Sequence, residues 1–247
     1  MAPKTAKSPK SPTRKKAPKL PALPRGARIR AKLTVERLRD LYPAATELLH
    51  QSPFELLIAT ILSAQTTDRS VNLVTPELFR RYPTAEDLAA AEPAVVQSLI
   101  KPTGFFRLKT RRIISASRKL VELFGGEVPP RMEDLVKVPG IGRKTANVIF
   151  GAGFDIPGFA VDTHVTRLTN RLKLVSSRDP VKIEAQVCSM VPKEEWTGLS
   201  LRLILHGRRV CVARGPRCEE CVLNDFCPSS TVRPRPVSRP RPSIRAG

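Results

Sequence analysis

One stretch constrains the fold of this 247-residue chain more than any other: residues 138–147, with the sequence VPGIGRKTAN. Its Pro-Gly-x-Gly turn contains Gly140 and Gly142, which allow another backbone to approach closely. Apolar residues on both sides of the turn predict two short helices that pack across it. The second helix begins with free N–H groups, which can bind a phosphate oxygen without help from side chains. The stretch, called the hairpin below, therefore predicts a clamp for a DNA backbone.

Lys144 and Asp162 are the candidate catalytic residues. Lys144 falls in the first turn of the second helix, where the positive end of the helix dipole disfavours an ammonium and so favours a nucleophilic amine. Asp162 follows within the sequence VDTHV. Each has a structural alternative, because a lysine beside such a turn is usually solvated and Asp is a preferred helix N-cap. We interpret the pair as a buried amine nucleophile with a carboxylate, and the two roles of Asp162 are compatible.

Positive charge is concentrated at the two ends of the chain. The formal net charge is +21; residues 1–30 contain ten Lys or Arg and no acid, and residues 228–247 contain five Arg and no acid. Both ends are rich in Pro and Ser and poor in apolar residues, so they cannot offset the entropy lost on ordering. We predict disordered basic tails at residues 1–28 and 229–247 that bind DNA phosphate in a salt-dependent way. A solubilising tail or a nuclear-type address is the alternative.

The apolar residues indicate an all-α fold class, because no convincing alternating strand pattern occurs. The strongest helix start is Ser52-Pro53, with Glu55 three residues after the serine, and the apolar run behind it predicts a core helix. Further helices are predicted at residues 34–41, 69–81, 93–100, 108–124, 163–172, 180–191 and 199–206, with a loop at 101–107. No apolar run is long enough to cross a membrane and the N-terminus lacks a signal-peptide core, which argues against a membrane span and against secretion.

Four of the five cysteines, Cys211, Cys218, Cys221 and Cys227, share one short loop with the spacing Cys-x6-Cys-x2-Cys-x5-Cys. Four thiolates so close together can enclose one metal centre, and their softness selects zinc or an iron–sulfur cluster. Zinc sites usually supply two Cys-x2-Cys pairs or histidines, whereas the longer arms here favour a cluster. Disulfides are a further alternative. Cys188 lies apart on a predicted helix and is expected to be a small core residue.

Five motifs in this order resemble the endonuclease III family of the helix-hairpin-helix DNA glycosylase superfamily. They are LLIA with LSAQ at residues 56–65, the hairpin, VDTH at 161–164, LHG at 205–207 and the four-cysteine spacing. The resemblance covers residues 29–228. It implies a two-domain architecture in which a six-helix barrel domain, residues 49–157, is inserted in an iron–sulfur cluster domain made of residues 29–48 and 158–228.

By the same resemblance, the chain is a bifunctional DNA glycosylase and AP lyase of base excision repair. Lys144 attacks the sugar C1′ of an oxidised pyrimidine nucleotide flipped from the duplex, Asp162 assists, and a Schiff base forms before β-elimination. The implied cofactor is a [4Fe–4S] cluster on the four cysteines. The implied partner is double-stranded DNA with oxidised pyrimidine or abasic sites, and we expect a monomer in the cytoplasm, associated with the nucleoid.

The resemblance also implies a set of DNA contacts. A flipped base leaves a gap that the enzyme must fill, and Gln65, at the end of the core helix, and the loop with Phe105 and Phe106 match the family's gap-filling elements. Phe105 is bulkier than the aliphatic residue usual there, and Arg107 and Leu108 also depart from the family pattern. The other expected contacts are Gly140, Gly142, Arg143 and His164.

Two alternative functions stay open on the sequence alone. A mismatch-adenine glycosylase would share the cluster and the hairpin, but such enzymes carry a catalytic Glu where this chain has Ile61. They also usually lack the nucleophilic lysine and have a C-terminal recognition domain that this sequence lacks. A non-catalytic DNA-binding protein is the other alternative, although phosphate binding alone needs neither Lys144 nor Asp162.

Overall fold

The computed structural model describes residues 22–232. Within that range the chain forms eleven α-helices and three short 3-10 turns and no β-strand, which confirms the predicted all-α class. Most of the two predicted basic tails lies outside the described residues. Ala27, however, is the first residue of a helix and is only 2% exposed, so the folded part begins before the predicted tail boundary at residue 28.

The first of two structural units consists of α2 to α8. Its buried apolar side chains form one cluster that runs from Leu48 to Phe150. Helix α2 contacts α3, α6 and α8, and its Leu56 and Leu57 are fully buried, which confirms the predicted core helix. The bounds are α2 Pro53–Leu62, α3 Asp68–Arg81, α4 Ala85–Ala89, α5 Pro93–Ile100, α6 Phe106–Phe124, α7 Met132–Leu135 and α8 Arg143–Gly153.

The second unit combines the first helix of the chain with the last three. These are α1 (Ala27–Arg39), α9 (Thr163–Arg171), α10 (Pro180–Cys188) and α11 (Trp196–Arg209). Their buried side chains form a second cluster, drawn from residues 31–42 and 159–223. Helix α11 packs on α1 and α9 and also contacts α8 of the first unit. The chain therefore starts in the second unit, builds the first and returns, as the predicted two-domain architecture requires.

Local capping signals place several helix starts where the sequence predicts them. The Ser52 hydroxyl accepts a hydrogen bond from the Glu55 N–H at 3.2 Å, and Thr84 forms a complete capping box with Asp87. A cap of this kind stabilises a helix by about 1 kcal/mol, because it satisfies an N–H group that has no partner within the helix. None of the described helices is long and apolar enough to cross a membrane.

Three helices start two or more residues earlier than predicted. Helix α1 begins at Ala27 rather than residue 34, because its first turns bury small residues, Ala27 and Ala31, that give no strong periodic signal in the sequence. Helix α6 begins at Phe106, so the loop predicted at residues 101–107 is shorter; Lys101–Thr103 forms a 3-10 turn within it. Helix α11 begins at Trp196 instead of residue 199.

Candidate active site

The hairpin between α7 and α8 has the predicted shape. Val138 and Ile141 are 1% and 5% exposed and fix the turn to the first cluster, and the Ile141 N–H donates to the Val138 carbonyl at 3.1 Å. Gly140 has φ 87°, a left-handed conformation that favours glycine, and Gly142 caps α8. Apart from the adjacent residues of the chain, no atom of residues 22–232 lies within 4 Å of the place where a Cβ would stand at either glycine. The outer side of the turn is therefore open to the backbone of a partner.

Lys144 and Asp162 line one narrow cleft of about 90 Å³ between the two units. Lys144 extends from the first turn of α8, and Asp162 precedes α9. The expectation of a buried amine was wrong, since Lys144 is exposed. A lysine on the outer side of a first helical turn keeps its amine in water while its stem lies along the cleft wall.

Asp162 also has the structural role that the sequence left open. Its Oδ1 accepts a hydrogen bond from the Val165 N–H at 2.8 Å, so the carboxylate caps α9. Its second oxygen, Oδ2, has no hydrogen-bond partner in the part of the chain that the structure describes. One oxygen thus fixes the side chain in place while the other remains available in the cleft.

Three charged residues in the cleft were missed by the sequence analysis. The Arg208 Nη1 donates to Glu47 Oε2 and to Asp68 Oδ2, each at 2.9 Å. Burial opposes the charge of Arg208, but the hydrogen bond to Asp68 and the negative charges of Asp68, Glu47 and Asp162 raise its pKa. Their positions in the sequence could have pointed to two of them, because Asp68 closely follows the LSAQ motif and Arg208 directly follows LHG.

The two expected gap-filling residues share an unusual backbone. Gln65 lies in the turn after α2, which ends at Leu62, and has φ 57°; Phe105 has φ 45°. Both are exposed, Phe105 by 64%. Non-glycine residues with positive φ are uncommon, and here two of them stand next to helices with their side chains exposed. Phe106 differs, because it is half-buried against the first cluster.

Two of the expected DNA contacts are engaged within the protein. The Arg143 guanidinium donates two hydrogen bonds to Glu184, at 2.7 and 2.8 Å, and this pairing raises the pKa of Arg143. The Arg143 side chain is still 48% exposed. His164 is half-buried, with Nδ1 3.0 Å from Nη2 of Arg167 on the same helix, and its side chain lies beside Gly207 of α11.

The four clustered cysteines are all half-buried and lie near one another. Burial, together with the negative charges of Cys211, Cys227 and Cys218, raises the pKa of Cys221 to about 11. Within residues 22–232, however, no three His, Cys, Asp or Glu side chains converge closely enough to hold a single metal ion. The four thiols influence one another electrostatically within one loop, and soft thiolate ligands of this kind are those that iron–sulfur clusters use.

Two side chains contact the sulfur atoms of this group. His206 Nε2 lies 3.2 Å from Cys221 Sγ, and Arg171 Nη1 donates to Cys211 Sγ at 3.3 Å. Hydrogen bonds to ligating sulfurs are the usual support of an iron–sulfur site. Cys188 is separate on α10, and burial raises its pKa to about 12, so its thiol stays protonated.

Comparison with known proteins identifies the family. Residues 58–193 match the model of the HhH-GPD superfamily of base excision DNA repair proteins, and residues 211–227 match the iron–sulfur binding domain of endonuclease III. Endonuclease III of Synechocystis is 51% identical over 195 residues, which cover 78% of this chain and 89% of that protein. Endonuclease III of Escherichia coli is 44% identical over 195 residues, 77% and 91% of the two chains. The chain belongs to the endonuclease III family.

Solved structures agree with this membership. A trapped covalent intermediate of endonuclease III with DNA is 38% identical, with a TM-score of 0.77 over 82% of this chain and 96% of that one. A thermostable thymine-DNA glycosylase, at 20% identity and a TM-score of 0.74, shares the fold. As a member of the endonuclease III family, the enzyme is a DNA glycosylase with AP lyase activity in base excision repair, and it carries a [4Fe–4S] cluster.

Proposed function

We propose that this enzyme excises oxidised pyrimidines from double-stranded DNA and cuts the strand at the resulting abasic site, with Lys144 as nucleophile and Asp162 as the assisting carboxylate. The cleft between the two units supports the proposal. It brings together an amine at the start of α8 and a carboxylate at the start of α9. Phosphate binding alone would require neither group, whereas amine catalysis at a sugar carbon requires both.

The proposed chemistry has two stages. In the first, the unprotonated amine of Lys144 attacks C1′ of the flipped nucleotide, the C1′–N bond breaks, and the base leaves with the electron pair and takes up a proton. The Asp162 carboxylate stabilises the positive charge that develops on the sugar. In the second, the attached amine has lost a proton, the C1′–O4′ bond breaks as O4′ takes up a proton, and the opened sugar is bound to Lys144 as an iminium ion. C2′ then loses a proton and the C3′–O bond breaks with the phosphate as leaving group, which cuts the strand on the 3′ side; water hydrolyses the remaining imine and frees Lys144.

The DNA contacts are part of the same proposal. The open N–H groups of the hairpin at Gly140 and Gly142 bind a phosphate of the damaged strand. Gln65 and Phe105, exposed on left-handed backbone, enter the gap left by the flipped nucleotide. Phe106, Arg143 and His164 stay predicted contacts, and Arg143 must share its guanidinium between Glu184 and a phosphate.

The mismatch-adenine alternative is disfavoured by α2. At the position where those glycosylases carry their catalytic glutamate, this enzyme has Ile61, which is apolar and 5% exposed. We also retain as predictions the domain boundaries 29–48 with 158–228 and 49–157, the monomeric state, and a cytoplasmic, nucleoid-associated location.

Borohydride trapping tests the nucleophile. Duplexes with thymine glycol, dihydrouracil, an abasic site or adenine opposite 8-oxoguanine are incubated with wild type, Lys144→Gln and Lys137→Gln. Lys137 is a matched control because it is an exposed lysine of the same region that is bonded to Asp134. We expect adducts with the pyrimidine lesions and the abasic site for wild type and Lys137→Gln, and none for Lys144→Gln, which should still bind DNA. A Lys144→Gln adduct formed at the wild-type rate would refute the proposal, and so would an adduct with adenine alone.

A further inference from the structure

Lys109 is a large side chain buried without an ion pair, and the function proposed above does not use it. It lies near the start of α6 and is 2% exposed. Its Nζ donates a hydrogen bond to the backbone oxygen of Thr103 at 2.8 Å. In the part of the chain that the structure describes, no carboxylate pairs with this ammonium. The contact with Thr103 is therefore its one defined interaction.

Burying such a charge is unfavourable. Removal from water disfavours the ammonium and lowers the pKa of Lys109. An unbranched apolar side chain of similar length would fill the same space without that cost. The packing of the first unit thus gives no reason for a lysine here, and the reason must lie in what the ammonium holds.

What it holds is the segment that carries Phe105. We call residues 103–106 the wedge loop. Its first residue, Thr103, is 2% exposed, and its hydroxyl donates to the Ile100 carbonyl at 2.8 Å. The next residue, Gly104, has φ 66° and ψ 163°, a conformation that essentially only glycine adopts. Phe105 follows in left-handed backbone and is 64% exposed.

Both ends of the wedge loop are fixed, and its centre projects outward. On the helix side, the Leu108 and Lys109 N–H groups both donate to the Phe105 carbonyl at 3.0 Å. On the other side, the Thr103 carbonyl is held from within the protein by Nζ of Lys109. The same residue, Lys109, therefore contacts the loop twice, once through its backbone and once through its ammonium.

We propose that Lys109 is a positioning residue for gap filling: its buried ammonium fixes the Thr103 carbonyl and thereby the direction in which Phe105 enters the duplex. The inference rests on the gap-filling role proposed for Phe105. A loop that is already ordered loses little conformational entropy when it enters DNA, whereas a loop released from Lys109 has to be ordered at each encounter.

Four single variants and one double variant test this inference. Lys109→Met keeps the length and buried volume and removes the ammonium, whereas Lys109→Arg keeps a charged donor. Ile113→Val is the control for a small packing defect on the same helix, since Ile113 is fully buried in the first cluster. Phe105→Ala removes the aromatic side chain that we propose enters the gap. The double variant combines Lys109→Met with Phe105→Ala.

The substrate is a duplex with an oxidised pyrimidine opposite 2-aminopurine, whose fluorescence reports loss of stacking when the gap is entered. We expect Lys109→Met to slow single-turnover excision by about 10- to 100-fold, as misplacement of a functional group does, and to reduce the fluorescence change. Lys109→Arg should recover most of the excision rate and most of the fluorescence change, and Ile113→Val should match wild type in both measurements. The double variant should be no slower than Phe105→Ala, because a residue that acts through Phe105 has no effect without it.

The outcomes separate this inference from the proposed function. A wild-type rate for Lys109→Met beside a slow Phe105→Ala overturns the inference and leaves the gap-filling role of Phe105 intact. Additive rate reductions in the double variant also overturn it, since they show that Lys109 acts elsewhere. A wild-type rate for Phe105→Ala overturns the gap-filling role itself and the inference with it. Melting curves of every variant check that it is folded. If Lys109→Met lacks a cooperative unfolding transition, Lys109→Gln replaces it in the same comparison.

Discussion

At the scale of single residues, Asp162 shows how one carboxylate can serve both structure and chemistry. Its Oδ1 is committed to the Val165 N–H, and that hydrogen bond holds the side chain at the cleft shared with Lys144. The free Oδ2 keeps the negative charge next to the place where we propose that positive charge develops. The cap thus orders the carboxylate that we propose to be catalytic before substrate binds.

Two substitutions separate the roles of Asp162. Asp162→Asn keeps an oxygen that can accept from Val165 N–H, so we expect its stability to stay near wild type; Asp162→Ala loses the cap and about 1 kcal/mol. Both remove the carboxylate, so single-turnover excision should fall by about 100-fold or more in each. Thermal unfolding and excision kinetics are measured together. This division of roles would be contradicted if Asp162→Asn and Asp162→Ala had the same melting temperature but different excision rates. A wild-type excision rate for Asp162→Asn would also contradict it.

At the scale of elements, the cysteine loop of residues 211–227 depends on helices of the second unit. The Arg171 side chain of α9 donates to the sulfur of Cys211 and to the carbonyl oxygen of Val212, and His206 of α11 contacts the sulfur of Cys221. His206 also contacts Tyr42, through Nδ1 and the hydroxyl at 3.2 Å, which connects the loop to the region after α1. A cluster bound in this loop therefore stabilises contacts among three separate parts of the chain.

Removal of one cysteine ligand should lower the stability of the protein beyond the cysteine loop. The purified wild type is expected to contain about four irons per chain and no stoichiometric zinc. Cys221→Ala should lose most of the iron and unfold at a lower temperature, because a cluster that binds only the folded state stabilises that state. Cys188→Ala is the control and should keep its iron, since Cys188 lies on α10 outside the loop. Metal analysis and thermal melting test this prediction. A Cys221→Ala protein that contains zinc, or that keeps all of its iron, would contradict it.

At the scale of the whole molecule, the two units meet where the chemistry is proposed. The cleft is lined by Thr60 and Ser63 from the α2 region, by Lys144 from α8, and by Asp162 and Arg208 from the second unit. Helix α11 contacts α8 and carries Arg208, whose bonds to Glu47 and Asp68 cross the cleft. The relative placement of the units therefore sets the distance between Lys144, the proposed nucleophile, and the Asp162 carboxylate.

The DNA binding that we predict for the charged ends of the chain is tested on the whole molecule. Residues 1–21 contain seven Lys or Arg and residues 233–247 contain five, with no acid in either. Deleting both segments spares the hydrogen bonds of Pro24 with Ala27 and of Ser229 with Arg171. We expect the trimmed enzyme to melt and to catalyse the chemical step as wild type does, but to bind DNA more weakly.

Its affinity should also depend less on salt, because the slope of log K against log salt falls by about 0.9 for each DNA phosphate that the trimmed enzyme no longer neutralises. A full-length variant with the same basic residues changed to Gln is the matched control, because it removes charge and keeps length. Equal slopes for full-length and trimmed enzyme would show that these segments do not bind DNA.

The sequence by itself determined the features that depend on near neighbours in the chain. Ser52, Thr84 and Asp162 cap helices through hydrogen bonds to residues three positions on, so their effect is visible in the local sequence. The cysteine spacing was informative for the same reason, since all four proposed ligands lie in one loop. The all-α class followed from the helical spacing of apolar residues.

Only the tertiary structure decided the features that depend on distant partners. Arg143 is paired with Glu184, 41 residues away, and Arg208 with Glu47, 161 residues away, pairings that no local pattern encodes. The exposure of Lys144 and the burial of Lys109 likewise depend on what packs against each helix, because two lysines near helix starts look alike in sequence. Packing within and between the units, rather than residue type, thus determines which charges are exposed and which are engaged inside the protein.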